Sequence, residues 1–213
     1  MKPLRDIDTW VFDLDNTLYP PEMALFPQVN AKMSAWVMDL LGLPREAADA
    51  LRHRYYVDHG TTLAGLMAHH AMPPDDYLVA VHDIDFSVLS PDPALADAIA
   101  ALPGRKIIYT NGTAPYARAV TEARGLSGLF DAIYGVEHAG YHPKPGAQAF
   151  QTVFALDGLP HTRSAMFEDE ARNLAVPHAM GLRTIHVAPD AVPAPHVHHH
   201  TADLAAFLRT IPT

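Results

Sequence analysis

Thr9-Trp10-Val11-Phe12-Asp13-Leu14-Asp15-Asn16-Thr17-Leu18-Tyr19 runs from four β-prone residues straight into two carboxylates two positions apart. A short apolar run of this kind reads as a strand covered on both faces. The same grammar recurs along the chain. Lys106 to Tyr109 leads into Thr110-Asn111-Gly112, and Ala132 to Val136 into Glu137 and His138. Ser164 to Phe167 leads into Glu168-Asp169-Glu170, and Thr184 to Val187 into Ala188-Pro189-Asp190. Helical patterns lie between these runs. Pro91 to Leu102 places Leu95, Ile99 and Leu102 on one side. Thr113 caps a helix with Pro115 in its first turn and Gly125 at its stop. Pro145 opens a helix in which Phe150, Val153 and Phe154 share a face. Strands alternating with helices predict an α/β fold with a doubly wound, Rossmann-like parallel sheet. Ligands of such sheets bind beyond the carboxyl ends of the strands, where every polar cluster quoted above falls.

Residues 20 to 90 interrupt the alternation. Phe26 to Leu41 is amphipathic, Ala47 to Tyr56 is helix-like, and Thr62 to His70 and Pro74 to Val81 read as short capped helices. The expected organisation is a core of residues 1–19 and 91–213, with residues 20–90 as a small helical cap inserted after the first strand. His82, Asp83 and Asp85 fall where the cap chain returns to the core, and a hinge is preferred there to a second metal site.

Composition narrows the chemistry. The 213 residues are 49% hydrophobic and 18% charged, enough apolar matter for a sizeable core. Fifteen basic against twenty-four acidic residues leave a net charge of -9, with no basic footprint for a nucleic acid polymer or an anionic membrane. The absence of cysteine removes disulfides, thiolate metal sites and a cysteine nucleophile. No apolar run reaches the roughly 18 residues that span a bilayer. The first residues lack a leader pattern, so the expected compartment is the cytoplasm.

The strand-end clusters then acquire a chemical meaning. Asp13 and Asp15 repel one another unless a cation relieves them, and oxygen ligands suit Mg²⁺. A carboxylate can also attack phosphorus to give an aspartyl-phosphate. Thr110-Asn111-Gly112 offers a hydroxyl, an amide and a flexible backbone before a helix N-terminus, which suits an anion. Lys144 is a cation fixed between two prolines, and Glu168-Asp169-Glu170 adds carboxylates. Each has an ordinary explanation as a turn, a loop lysine or an acidic helix start. The four together, in this order at successive strand ends, are far less ordinary.

These four pieces resemble the motifs of the haloacid dehalogenase (HAD) superfamily of Mg²⁺-dependent phosphohydrolases. Asp13, Asp15 and Thr17 match its DxDxT, Thr110 its second motif, Lys144 its third and Glu168-Asp169 its fourth. The resemblance implies Asp13 as nucleophile and Asp15 as acid and base. It implies Asp13, Asp169 and the Asp15 carbonyl as Mg²⁺ ligands, with Thr110, Asn111 and Lys144 on the phosphate. Asn173 stands where many members carry a further Asp, which leaves ligation by Glu168 or Glu170 open. Phe12 to Tyr19, Tyr55 to Leu63, His82 to Asp85 and Phe167 to Asp169 are similar to the pyrimidine 5′-nucleotidase branch. The implied activity is a phosphomonoesterase acting on a small phosphorylated metabolite such as UMP or CMP. A sugar-phosphate phosphatase or phosphomutase is the alternative. Removal of halide is disfavoured because that chemistry needs no second Asp. A phospho-acceptor signalling module is the non-enzyme alternative, but it would lack the helical insertion.

Specificity has to come from outside the motifs. Tyr19, Tyr56 and His59 are candidate leaving-group contacts. His196, His198, His199 and His200 could bind a transition metal; a solvated loop before the last helix, capped by Thr201, is the preferred reading.

Overall fold

The computed structural model describes residues 4–191 and 193–212; the first three residues of the stretch read for a leader lie outside them. Six parallel strands form one sheet in the order β3-β2-β1-β4-β5-β6. They are β1 (Thr9–Phe12), β2 (Arg105–Tyr109), β3 (Ala132–Tyr134), β4 (Ser164–Glu168), β5 (Arg183–Val187) and β6 (His199–Thr201). Strands are added first on one side of β1 and then on the other, so β1 lies between β2 and β4. No residue of β1 is exposed.

Alternation along the strands sorts the core into two layers. Trp10 and Phe12 face one side, with Ile108 and Phe167, and pack against α5 (Pro93–Ala101), α6 (Ala114–Ala123) and α9 (Leu204–Leu208). Val11, Ile107 and Met166 face the other side, against α7 (Ala147–Asp157) and the region of α8 (Ala175–Met180). Phe12 and Phe167 stack with ring centres 4.8 Å apart, which locks β1 to β4 beside the polar strand ends. Between β1 and β2 lie α1 (Leu25–Leu41), α2 (Arg45–His59), α3 (Thr62–His70) and α4 (Pro74–His82). Thr61 caps α3 through the amide of Ala64, and Gly42 closes α1 in a left-handed turn. Among the described residues no helix is long and apolar enough to cross a membrane.

Several local expectations are corrected. β3 stops at Tyr134, and Val136 begins a 3-10 turn through Ala139. The chain leaves the sheet at Gly135 because it crosses the start of α6 closely. A Cβ there would come within 2.5 Å of the Ala114 nitrogen and 2.8 Å of the Gly112 oxygen. The third-motif helix starts at Ala147 rather than Pro145, since Asn111 first ties the backbone of Lys144 to the end of β2. α5 starts at Pro93, capped by Asp92. Pro177 is accommodated because a 3-10 turn over Ala171–Leu174 precedes α8 and leaves it in the first turn.

The histidine-rich segment is not a solvated loop. His199–Thr201 is the sixth strand, and His196, His198, His199 and His200 are all half-buried. Their imidazoles replace solvent with backbone. His196 Nε2 donates to the Ala171 carbonyl at 2.9 Å, and His200 Nε2 donates to Ala188 at 2.8 Å. His198 Nδ1 meets the Thr184 hydroxyl at 2.8 Å. Thr201 belongs to this strand. The cap of α9 is Asp203, whose carboxylate accepts from Ala206. α4 ends at His82, and beyond it Asp83 meets Lys32 at 3.4 Å and Gln28 holds the Asp85 backbone from both sides.

Candidate active site

Because β2, β1 and β4 are neighbours, their carboxyl ends bring Thr110, Asp13 and Glu168 to one place. The Asp13 amide donates to the Phe167 carbonyl at 2.9 Å, so β1 and β4 are still paired where the side chains turn polar. The chain then turns sharply, with Leu18 bonded back to Leu14. Asn16 takes a left-handed conformation (φ 58°), which Asn tolerates better than most residues. That turn lets its amide donate to Asp169 at 3.2 Å.

Lys144 is the electrostatic centre. It is 1% exposed, and its Nζ lies 2.6 Å from both Asp13 Oδ1 and Glu168 Oε2 and 3.2 Å from the Tyr109 carbonyl. Burial works against its charge, but Asp13 and Glu168 overcome that and hold its pKa well above the usual lysine range. One ammonium does not satisfy three carboxylates. Burial, reinforced by Glu168, pushes Asp13 up to about 8 despite Lys144. Burial pushes Asp169 up to about 10, with Glu168 and Asp13 adding to the rise. Asp13, Glu168 and Asp169 each offer an oxygen, and these atoms all lie within 4.8 Å of one another. A hard divalent cation fits this all-oxygen set and would relieve the surplus negative charge.

Asp15 is placed differently. Its Oδ1 accepts from the hydroxyls of both Tyr19 and Tyr116 at 2.6 Å. Burial raises its pKa, and the two tyrosines oppose that rise. Its carboxylate is outside the three-carboxylate group, so any ligand from this residue would be the carbonyl that the motif implies. Thr110 is buried and accepts from the Gly112 amide at 2.9 Å. The Asn111 side chain is committed to Lys144, accepting from its N–H at 2.8 Å and donating to its carbonyl at 3.2 Å. That places Asn111 as the anchor of the lysine loop.

A cavity of about 420 Å³ opens over these groups, lined from the sheet by Asp13, Asp15, Thr110, Lys144 and Asp169. α1, α2 and α4 line its other end. Of the three expected leaving-group contacts, only Tyr56 lines it. The Tyr56 hydroxyl donates to Glu170 at 2.9 Å, and the Arg172 guanidinium sits 3.8 Å over its ring. Tyr19 stands behind Asp15. His59 pairs with His69 at 2.9 Å, away from the lining. Glu170 therefore meets α2 rather than the carboxylate group. Asn173 is buried against the cavity, its Oδ1 without a hydrogen bond among the described residues.

Sequence reasoning missed Tyr116 and two residues of the helical insertion, Arg52 on α2 and Tyr77 on α4. Tyr116 follows Thr113-Ala114-Pro115 in the first turn of α6, beside the second motif, and that position was its one visible signal. His186 also escaped notice; from β5 its Nε2 donates to the Asp169 carbonyl at 2.8 Å, steadying the backbone of a candidate ligand.

The raised carboxylates have a consequence for stability. Asp13 binds its proton more tightly folded, at about 8, than unfolded, at about 3.8. The native state thus holds the extra proton between these values. The corresponding stability is complete below about pH 4 and drains away as pH rises towards about 8, with Asp169 extending the loss higher. The melting temperature in chelator is expected to fall between pH 5 and pH 8, and Mg²⁺ should raise it more at pH 8 than at pH 5. A chelated protein that melts higher at pH 8 would contradict this account of the carboxylates.

Comparison with known proteins agrees with the architecture. A family model described as haloacid dehalogenase-like hydrolase matches residues 7–181. Phosphate metabolism protein 8 of Saccharomyces cerevisiae is 26% identical over 210 residues, covering 88% of this chain. The match covers 63% of that protein, so the chain spans less than two thirds of the curated relative. Among solved structures, CbbY from Rhodobacter sphaeroides in complex with phosphate superposes with a TM-score of 0.66 at 17% identity, over 93% of this chain and 95% of that one. YfnB from Bacillus subtilis bound to magnesium gives 0.60 at 17% identity, over 97% and 99%. An L-2-haloacid dehalogenase gives 0.58 at 16%, over 97% and 100%. At such identities the likeness is one of fold, and that fold carries more than one chemistry. The family match runs from the approach to β1 through the end of α8 and includes every strand end that meets in the cavity; this chain belongs to the haloacid dehalogenase-like hydrolases.

Proposed function

We propose that the protein is a Mg²⁺-dependent phosphomonoesterase that works through an aspartyl-phosphate on Asp13, with pyrimidine 5′-nucleotides as substrates. The observation that carries this reading is the pairing of a buried carboxylate, Asp13, with Lys144 at 2.6 Å, next to a second carboxylate held by two tyrosines. Asp13, Glu168 and Asp169 would hold the cation, with the Asp15 carbonyl as a further oxygen. The bound cation would supply positive charge beside the transferring phosphoryl group.

The remaining work falls to this chain's own side chains. An Asp13 oxygen attacks phosphorus as the ester P–O bond breaks, and Asp15 gives its proton to the leaving oxygen. Because Tyr19 and Tyr116 occupy Oδ1, the proton travels on Oδ2. Burial raises the Asp15 pKa, which favours the protonated form this step needs. Asp15 then takes a proton from the water that attacks the aspartyl-phosphate, releasing phosphate and restoring Asp13. Lys144 and Thr110 offset charge on the transferring oxygens, and Asn111 keeps Lys144 in place. Residues 20–90 act as the cap that chooses the leaving group, over a core of residues 1–19 and 91–213. Support for the nucleotide comes from the branch-like segments and from a cavity within the usual range for a small organic ligand, about 300–1,000 Å³.

A screen of phosphorylated metabolites with Mg²⁺, reading released phosphate, tests the proposal. UMP and CMP are expected to exceed AMP and sugar phosphates, and excess chelator should abolish release. Full activity in chelator would sink the metal reading. A tenfold preference for a sugar phosphate would replace the nucleotidase by a sugar-phosphate phosphatase.

A further inference from the structure

The helical side of the cavity, opposite the strand ends, holds two donors that the mechanism above does not use. Arg52, on α2, is tethered through two of its three nitrogens. Nη2 donates to Asn30 Oδ1 at 2.6 Å and Nη1 donates to the Ser34 hydroxyl. Its third nitrogen, Nε, is buried and makes no hydrogen bond among the described residues. Asp49 is 3.5 Å from Nη1, but its other oxygen is engaged by Arg45 at 2.7 Å. The guanidinium is thus fixed in position while one of its N–H groups remains uncommitted.

Tyr77, on α4, is 1% exposed and braced by Trp36, whose ring meets it edge-on with centres 5.7 Å apart. Its hydroxyl makes no hydrogen bond of good geometry among the described residues, although Thr62 and Arg52 are its neighbours. A buried donor without an acceptor is costly. Here two of them stand on different helices and line the same cavity. Val29, Met33 and Leu78 supply apolar surface to the same cavity, while Asn30 and Asp49, which also line it, face Arg52. Such a combination suits a flat ring with an oxygen at its edge.

We infer that this side of the cavity reads a ring carbonyl of the leaving group, with Arg52 Nε and Tyr77 Oη as the donors and Val29, Met33 and Leu78 along the ring. The inference rests on the phosphomonoesterase reading and adds the residues that make the choice. Uracil and cytosine both present a carbonyl at C2 and meet the requirement. Adenine has no carbonyl, and a sugar phosphate has no ring of this kind.

The test is the ratio of kcat/KM for UMP to that for ribose 5-phosphate, which differs from it by the absence of the base. Tyr77→Phe is expected to lower this ratio about 5- to 10-fold, the value of one neutral hydrogen bond. Arg52→Lys should lower it about 10- to 100-fold, as for a lost charge-assisted bond. Tyr77→Phe should leave the melting temperature in place, because the oxygen it removes has no well-formed bond to the protein; this separates recognition from a role in folding. An unchanged ratio in both variants of an active enzyme overturns the inference and leaves the phosphatase reading standing. So does a wild-type enzyme that hydrolyses ribose 5-phosphate as well as UMP. If the wild type releases phosphate from neither ester, the nucleotidase reading falls and takes the inference with it.

Discussion

Asp13→Asn is expected to abolish turnover, with a loss on the order of 10³-fold or more, the scale seen when a covalent path is removed. The substitution keeps the shape of the side chain and an oxygen able to accept from Lys144 Nζ, now 2.6 Å away. It removes the charge that makes the group a nucleophile. It also removes one of three carboxylates crowded within 4.8 Å, so the metal-free variant should be at least as stable as the wild type near pH 8. The two expectations together distinguish lost chemistry from lost structure. Near-normal phosphate release from a well-folded Asp13→Asn protein would remove Asp13 from the mechanism.

Lys144→Met is expected to lose both activity and stability. Methionine fills much of the same volume, but it leaves Asp13 and Glu168 facing each other in a buried site without their shared cation. Breaking a buried pair on one side costs about 3–5 kcal/mol. The sign of its pH dependence follows from Asp13: below about 8 it carries its proton even in the wild type and the missing ammonium matters less, so the gap from wild type should widen as pH rises through that value, between pH 5 and pH 9. Activity should fall by about 10²- to 10³-fold, because the developing phosphoryl charge loses a fixed cation. Denaturant unfolding at the two pH values, paired with phosphate release, measures both effects. A stable Lys144→Met protein with unaltered pH dependence would mean that the lysine does not hold this cluster together.

The core was legible because its signals are local. Each of the first five strands announces itself by an apolar run, and each motif residue stands just after a strand or just before a helix. Thr110 and Asp13 could therefore be placed at one edge before their distances were known. The sixth strand left no such trace. His199-His200-Thr201 has no apolar alternation and Thr201 as its single β-branched residue, and its pairing with β5 is visible only once His196 and His200 are seen satisfying backbone carbonyls. The same limit applied to the tyrosines. Residue type suggested that Tyr19 could meet a ligand, yet direction decides the matter, and its hydroxyl points to Asp15. Tyr116 joins that oxygen from 101 residues away in sequence. Arg52 and Tyr77 read as ordinary helix-face residues. What singles them out is a missing partner, and a sequence does not record which hydrogen bonds go unmade.

The position of β1 has a bearing on motion. This strand is hydrogen-bonded on both sides, completely buried and clamped by stacked rings. Its amides should exchange with solvent only through the largest openings of the molecule. α2 and α4 have no strand beside them and are held mainly by their neighbouring helices, so their amides should exchange through smaller openings. The cavity is bounded by both. Asp13 is the first residue beyond the segment that opens least, whereas Arg52 and Tyr77 ride on helices that can loosen without disturbing it. A ligand can thus be admitted and released by breathing on one side of the cavity while the reacting carboxylate stays in register on the other.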